Sequence, residues 1–471
     1  MRPKLKPLGA LVLVGTVVIG GYLLLPDPGP RVRNVELTDV QLRELVAAHR
    51  TPALEPMTSE ARQLAKFGRA LFHDQALSSG DRACVTCHGP EAPATSGGMS
   101  IPSLDHAAAR VWFGAAGSTD SLAAEALRHL EDPRFSGTDR VHVVRHVLKQ
   151  YAHDYAAAFG AVTLPADLPE HAAPKLVAPD LPITTSARAL QTLGDSQLLS
   201  EILSVAQEGR RAPAIELARR ALAAPTVDDV TEHNWKDMPE ASRRAVDRVF
   251  ANVGRALAAY IGTLVTEESA FDRFAMRLHR APERPVSEIL DLTFGPTELA
   301  GFKLFHGPGR CAACHAGPEF SDHDFHNIGL PQRGDSVALG RIAGIARVLA
   351  DPFNCQNALD PRAVRVGPPA QCAKLLPLSV HDTAMLGAFK TPSLRRVTLT
   401  APYMHDGRFE TLDDVIDHYD DMLAKPALGK TDERLQPLQL TVEEREALTA
   451  FLTALAAPVK DLSQVEPIGQ K

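Results

Sequence analysis

The chain is short of positive charge: 50 Lys and Arg stand against 57 Asp and Glu, for a formal net charge of -7. That balance argues against a general nucleic-acid binder and by itself points to no partner. Strand signals are few, so the periodicity that remains is helical and the fold class reads as mostly α. Signs of N-terminal processing are missing too. Arg2, Lys4 and Lys6 precede an uncharged run of 18 residues from Leu8 to Leu25, followed by Pro26-Asp-Pro-Gly-Pro30. The run is just long enough to span a bilayer, and the basic residues ahead of it place the N-terminus on the cytoplasmic side. No small-x-small cleavage site follows and no lipobox cysteine is present, which favours an uncleaved anchor over a cleaved signal peptide for residues 1–30. Either reading exports the remainder of the chain.

Cysteine is scarce as well, and each of the six has a use. Cys311, Cys314 and His315 form a Cys-x-x-Cys-His signature, the mark of covalent haem c attachment. Two thiols on one helical turn can add to the two vinyl groups of one haem, and the adjoining imidazole falls on the iron as proximal ligand. A redox dithiol and half a zinc site are the rival readings. A second copy, Cys84, Cys87 and His88, demotes them, because each copy also follows a related lead-in, Gly68-Arg-Ala-Leu-Phe-His73 and Gly301-Phe-Lys-Leu-Phe-His306. Two covalently bound haems c are therefore expected. Cys355 and Cys372 remain, and an oxidising compartment favours a disulfide between them over two buried thiols.

At 471 residues, with 45% hydrophobic and 23% charged content, the chain is an ordinary globular composition with room for two or three domains. Segment 59–72 reads as an amphipathic helix with Leu64, Phe67 and Leu71 on one stripe and Ser59 as its cap. Leu122 to Leu130 and Val141 to Tyr155 read as helices, five prolines between Pro165 and Pro182 mark an irregular connection, and helical patterns resume at 186–222. The stretch 241–265, with Val246, Val249, Phe250, Val253, Leu257 and Ile261 at helical intervals, is taken to open the second half. Residues 316–388 read as a long loop. Thr441 and Glu444 make a capping box for a closing helix that buries Leu448, Phe451, Leu452 and Leu455. The expected architecture is two tandem cytochrome c-like haem domains, 31–240 and 241–471, behind an N-terminal membrane helix.

The residues around both motifs resemble the bacterial di-haem cytochrome c peroxidase/MauG family. The matching runs are Phe67-Gly-Arg-Ala-Leu-Phe-His-Asp74, Asn252-Val-Gly-Arg-Ala-Leu-Ala-Ala-Tyr260, Phe325-His-Asn-Ile-Gly-Leu-Pro331, Gly387-Ala-Phe-Lys-Thr-Pro-Ser-Leu-Arg395 and Thr400-Ala-Pro-Tyr-Met-His-Asp-Gly-Arg408. The resemblance implies that the haem on His315 is six-coordinate and passes electrons, while the haem on His88 keeps an open face for peroxide. The sixth ligand of the electron-transfer haem, a methionine in peroxidases of the family, falls on Tyr419 here, as in MauG-like members. A phenolate stabilises ferric iron and lowers the potential. Met404, His418 and Met422 are the neighbouring alternatives, and a plain core tyrosine is the bland one.

At the first haem the sequence departs from the family. Where a tryptophan is expected in a Trp-Asp-Gly-Arg run, Ala115-Ala-Gly-Ser118 stands, with Trp112 three residues away. The pocket glutamate is Phe135, the pocket glutamine is Glu125, the usual proline is His129, and no histidine between 89 and 105 can cap the resting haem. Splitting peroxide needs a group that moves a proton from one oxygen to the other. Glu125 and His129, four apart on a helix, share one face. Three readings stay open: the pair is a relocated acid/base, His129 binds the iron and closes the site, or the pair is a solvated surface contact. The family's calcium ion would use the carbonyls of Thr400 and Pro402, but its asparagine position is Ser100, a weaker ligand.

The resemblance thus implies a periplasmic enzyme, anchored in the inner membrane, that uses hydrogen peroxide and draws electrons from a small cytochrome c, a copper protein or a protein substrate. A di-haem electron carrier that has lost peroxidase activity is the second class, and an accessory protein docked on a membrane dehydrogenase the third.

Overall fold

The computed structural model describes residues 33–464, less residues 34, 332, 358, 423 and 427 and segments 53–55, 79–81, 90–94, 97–98, 133–134, 175–183, 187–229, 334–335, 360–369, 376–377 and 379–381. The expected membrane helix lies outside the described residues, as do nearly all of the helical patterns at 186–222. Among the described residues no helix is long and apolar enough to cross a membrane.

The architecture is mostly helical. In chain order the helices are α1 (Asp39–Ala48), α2 (Ser59–Phe72), α3 (Cys84–His88), α4 (Leu122–Glu131), α5 (Arg140–Gln150), α6 (Ala152–Phe159) and α7 (Val230–Asp237). They continue with α8 (Glu240–Ile261), α9 (Ala270–Arg280), α10 (Pro296–His306), α11 (Arg341–Ala350), α12 (Leu412–Asp421) and α13 (Val442–Thr453). Local chemistry sets their starts. The α2 cap is Thr58, one residue ahead of the expected Ser59, and its hydroxyl accepts from the Ala61 amide. Thr441 and Glu444 form the capping box of α13 as expected, and Thr411 with Asp414 does the same for α12.

Two crossings organise the chain. The lead-in helix α2 packs on α8, and the lead-in helix α10 packs on α13. Each contact passes through a glycine. A Cβ on Gly68 would stand 1.8 Å from the Ala256 carbonyl oxygen, and one on Gly301 would stand 1.9 Å from that of Ala447. Backbone meets backbone there, so only hydrogen fits.

One apolar core gathers Phe67 and Leu71 of α2, Leu127 of α4, Val144 of α5 and Val249, Phe250 and Leu257 of α8. A second gathers Leu42 and Val46 of α1, Phe271 and Phe274 of α9, Phe302 and Phe305 of α10, Phe320 and Phe451. The two cores do not follow a cut at 240/241. Helix α8, read from sequence as opening the second half, completes the first core, and α1 crosses back from upstream to the second. A small third cluster, Trp112 with Phe325, Val348, Leu375 and Ala388, lies where the two meet.

Short antiparallel pairings tie distant segments: Leu264–Thr266 with Val459–Asp461, Thr184–Ser186 with Ser336–Ala338, and Phe325–His326 with Phe389–Lys390. The region 316–388, expected to be loop, contains α11. The buried residues of α11, Arg341, Ala343, Gly344, Ile345, Arg347 and Val348, mix charged with apolar side chains, which leaves no clean stripe to read.

Cys355 and Cys372 are joined in a disulfide. The Cys355 amide donates to Asp120 of the first unit, so the bridged loop is moored across the junction. Closing a loop of this span stabilises a fold by about 3 kcal/mol in the chain-entropy account. The double variant Cys355→Ala/Cys372→Ala is accordingly expected to lose stability of that order in denaturant titration, with both haem sites still populated.

Asp74, just past α2, accepts from the His146 imidazole at 2.7 Å, the Tyr151 hydroxyl at 2.9 Å and the Ala76 amide at 2.9 Å. Burial alone would raise its pKa, but these donors hold it below the ordinary carboxylate value. A carboxyl whose folded pKa is depressed adds stability above its unfolded pKa and loses it as pH falls through the folded one. Asp74→Asn should therefore cost about 2 kcal/mol at neutral pH, and the difference from the parent should vanish in acid unfolding once the pH has fallen below the ordinary carboxylate range and through the depressed pKa of Asp74. A pH-independent difference would contradict an ionised Asp74.

Candidate haem-binding sites

A frame recurs at an offset of 290 residues. His106 and Arg396 both take a left-handed conformation (φ 52° and 58°) and each opens a 3-10 turn, Ala107–Ala109 and Val397–Leu399. An isolated bridge follows, Phe113 with Thr119 and Tyr403 with Phe409. A hydroxyl-capped helix then begins at Leu122 and at Leu412. By the same offset Pro102 corresponds to Pro392, and His129 of α4 to Tyr419 of α12.

In the second site Cys311 lies in a 3-10 turn, Cys311–Ala313, followed by Cys314 and His315. The His315 Nδ1–H donates to the Phe320 carbonyl at 2.8 Å, which leaves Nε2 as the free nitrogen. Burial lowers the His315 pKa, and it raises Cys311 to about 12. Tyr419 lies within electrostatic reach of this pair of thiols. Burial raises its pKa, and Cys311 and Cys314 add to the effect. Its neighbour His418 is committed elsewhere, Nε2 to the Ile328 carbonyl at 2.8 Å. Met422 caps α12 in a left-handed conformation, with its methyl against Gly329. Met404 sits in the turn before Phe409, also at positive φ.

Cys314, Asp322 and His326 approach one another within 4.8 Å. Cys314 belongs to the haem motif, and His326 is already held between Asp322 at 2.8 Å and Asp432 at 3.0 Å. Burial alone would lower the His326 pKa, but the Asp322 hydrogen bond and Cys314 raise it to about 10.

In the first site Cys84, Cys87 and His88 form α3. Burial raises Cys84 to about 11 and lowers His88 to about 4. The His88 Nδ1 is buried without a partner in hydrogen-bonding geometry, although the Pro102 carbonyl acts on the ring to raise its pKa. Across from His88 lies His129, with ring centroids 6.4 Å apart.

Glu125 and His129 do come together, the imidazole Nδ1 lying 3.7 Å from the carboxylate. The carboxylate is not at leisure, however. Arg128 donates to it at 2.7 and 3.0 Å and the Thr119 hydroxyl at 2.9 Å. Burial would raise Glu125, but the Arg128 charge, His129 and these hydrogen bonds bring it down to about 2. A carboxylate that acidic is a poor proton carrier near neutral pH, so the geometry disfavours the relocated acid/base pair. Neither is the pair a solvated surface contact, since Glu125 is nearly enclosed. His129 Nδ1 instead donates to the Glu125 backbone carbonyl at 2.9 Å.

Phe135, at the position of the missing glutamate, stacks on the His129 ring at 4.2 Å. Trp112 points to the junction. The buried Arg341 guanidinium lies 4.2 Å from its ring and 4.0 Å from that of Phe325, a desolvated cation–π pair worth about 2 kcal/mol each way. Burial lowers Arg341 to about 9 and Lys390 to about 7. It lowers Arg110 too. These buried cations had no separate signal in the sequence, except that Lys390 falls in the run from Gly387 to Arg395. Of the expected calcium ligands, Thr400 ends the second 3-10 turn, Pro402 follows a cis peptide, and Ser100 ends a two-residue strand.

The donor set fits a haem at each site: paired thiols, an adjoining imidazole, and a second nitrogen or oxygen donor, His129 or Tyr419, at the same place in the repeated frame.

The family model described as "Di-haem cytochrome c peroxidase" matches residues 62–192, which contain the first motif and α4. The methylamine utilization protein MauG of Methylorubrum extorquens is 35% identical over 207 residues, 44% of this chain and 44% of that protein. The cytochrome-c peroxidase IdrP2 of Denitromonas iodatirespirans is 34% identical over 213 residues, 44% of this chain and 48% of that protein. The chain thus spans about half the length of the curated relatives it matches. The diheme peroxidase BthA from Burkholderia thailandensis aligns over 90% of this chain and 89% of its own at 18% identity, with a TM-score of 0.48, too loose a likeness to argue from. On the sequence matches, the chain is similar to di-haem cytochrome c peroxidases and MauG proteins over less than half of its length.

Proposed function

We propose that this chain is a periplasmic, membrane-anchored di-haem c oxidoreductase that reduces hydrogen peroxide at the first site and passes electrons through the second. Cys84 and Cys87 would bind one haem by thioethers and Cys311 and Cys314 the other, with His88 and His315 as proximal ligands and Tyr419 as sixth ligand of the second. When bound, the haems supply iron that exchanges electrons with peroxide and donor; two electrons and two protons turn one peroxide into two waters. The electrons would come from a small cytochrome c, a copper protein or a protein side chain.

The observation that carries this reading is the inequality of the two sites within one repeated frame. Tyr419 offers an oxygen donor that favours ferric iron, whereas His129 presents an imidazole on the other facing helix. The chain's own residues then divide the work. Arg128 and Thr119 fix Glu125, and Glu125 orients His129 through its carbonyl, so that the imidazole stands opposite His88. The disulfide supports an oxidising compartment. Among the described residues the first core draws on α2, α4, α5 and α8 and the second on α1, α9, α10 and α13. Calcium on the Thr400 and Pro402 carbonyls with Ser100 is testable by chelator washing, where an unchanged haem spectrum counts against it.

One test is peroxide-dependent oxidation of a reduced small cytochrome by the purified two-haem protein. Failure to turn over with cytochrome, copper-protein or artificial donors would favour the second reading, an electron-transfer cytochrome, which the 6.4 Å facing of His88 and His129 already motivates.

A further inference from the structure

We infer that Nε2 of His129 is the sixth ligand of the first haem, so that this site rests closed between two imidazoles. The inference rests on haem attachment at Cys84 and Cys87, proposed above. A metal–imidazole bond is roughly 2 Å long, and the bound nitrogen lies about 1 Å from its ring centre. Two rings held trans on one metal therefore stand about 6 Å apart between centroids. His88 and His129 stand 6.4 Å apart. The angle of 63° between their planes is no obstacle, since each ring turns about its own metal–nitrogen axis. Rings in direct contact look different in the same molecule: His49 and His306 have centroids at 5.0 Å and their Nε2 atoms at 3.1 Å. The wider gap leaves room for an atom.

The His129 ring is also prepared to ligate. Its Nδ1 is spent on the Glu125 carbonyl at 2.9 Å, which fixes the tautomer and leaves the Nε2 lone pair free. Phe135 stacks on one face at 4.2 Å, and the Arg128 guanidinium lies 5.9 Å from the Phe135 ring on that same support. The residue that removes the expected acid thus braces the imidazole. The repeat adds an independent argument. His129 occupies in α4 the place that Tyr419 occupies in α12, within electrostatic reach of the other pair of thiols. A ligand delivered from this helix needs no histidine in the 89–105 segment.

The experiment uses the full-length holoprotein in detergent. Electron paramagnetic resonance and absorption spectra of the ferric protein should show two low-spin haems. His129→Ala should convert one of the two to high-spin, added imidazole should restore it, and binding of small ligands to the resting ferric protein should rise on the order of tenfold or more. Phe135→Ala should give a partial conversion. If His129→Ala yields too little folded protein, His129→Gln serves, with haem content and circular dichroism as checks. A high-spin haem already present in the parent, or a His129 variant with the parent spectrum, overturns the inference. Fewer than two haems in the pyridine haemochrome assay overturns the attachment and the inference together. Conversion to high-spin without any reaction with peroxide leaves His129 as ligand and removes the peroxidase reading instead.

Discussion

Tyr419→Met is expected to raise the midpoint potential of the second haem by on the order of 0.2 V, as axial ligands set haem potentials over most of a volt. The physical reason is charge. Burial pushes the Tyr419 phenol above its ordinary pKa, so the group stays protonated unless a cation in the site takes the proton's place. Ferric iron does so better than ferrous, and the resulting phenolate holds the oxidised state. A thioether carries no charge and reverses the preference. Because His418 is engaged by the Ile328 carbonyl, it cannot take over without turning its ring. His326, held between Asp322 and Asp432, is the same in both proteins and cancels from the difference. Potentiometric titration with optical detection measures the shift. A potential that does not move would remove Tyr419 from the coordination sphere and return Met422 to consideration.

What the sequence made legible is what local chemistry forces. The two Cys-x-x-Cys-His motifs are runs of neighbours in the chain, so both candidate sites are readable as such. The shared face of Glu125 and His129 followed from their spacing, and the pairing of Cys355 with Cys372 from elimination in an oxidising compartment. What stayed hidden depends on partners far away in sequence. The stripe on α8 declares an apolar face but not which core it serves, and its partner turned out to be α2 on the near side. The capture of Glu125 by Arg128 is written at i+3, yet the burial that makes it decisive comes from the rest of the fold. Phe135 read as a lost acid, and only its stacking on His129 shows what it adds. Helix α11 was missed because Arg341 and Arg347 are buried in it, which breaks the rule that charge marks the solvent face.

Gly301→Ala and Gly68→Ala should each cost about 3 kcal/mol or more, from an overpacked helix crossing. The sign is diagnostic. In an exposed helix interior the change from glycine to alanine stabilises by about 1 kcal/mol, since alanine loses less entropy on ordering. At these two positions the new methyl would stand 1.9 Å from the Ala447 carbonyl oxygen and 1.8 Å from that of Ala256. Neither contact can be relieved by turning a side chain, because the obstacle is backbone inside α13 or α8. The helices must separate, and that opens the packing of Phe302 and Phe305 on Phe451 in one core and the seating of Phe72 against Tyr260 in the other. Each lead-in helix precedes its motif in the chain, by four residues at Cys311 and by eleven at Cys84, so a displacement is expected to reach the thiols: Gly301→Ala should lower haem occupancy at Cys311 and Cys314, and Gly68→Ala, less strongly, at Cys84 and Cys87. Denaturant unfolding together with mass analysis of haem-bearing peptides separates the two effects. Stability equal to or above the parent in either variant would mean that the crossing is looser than its geometry shows, and that the two units are not built on the same close helix pair.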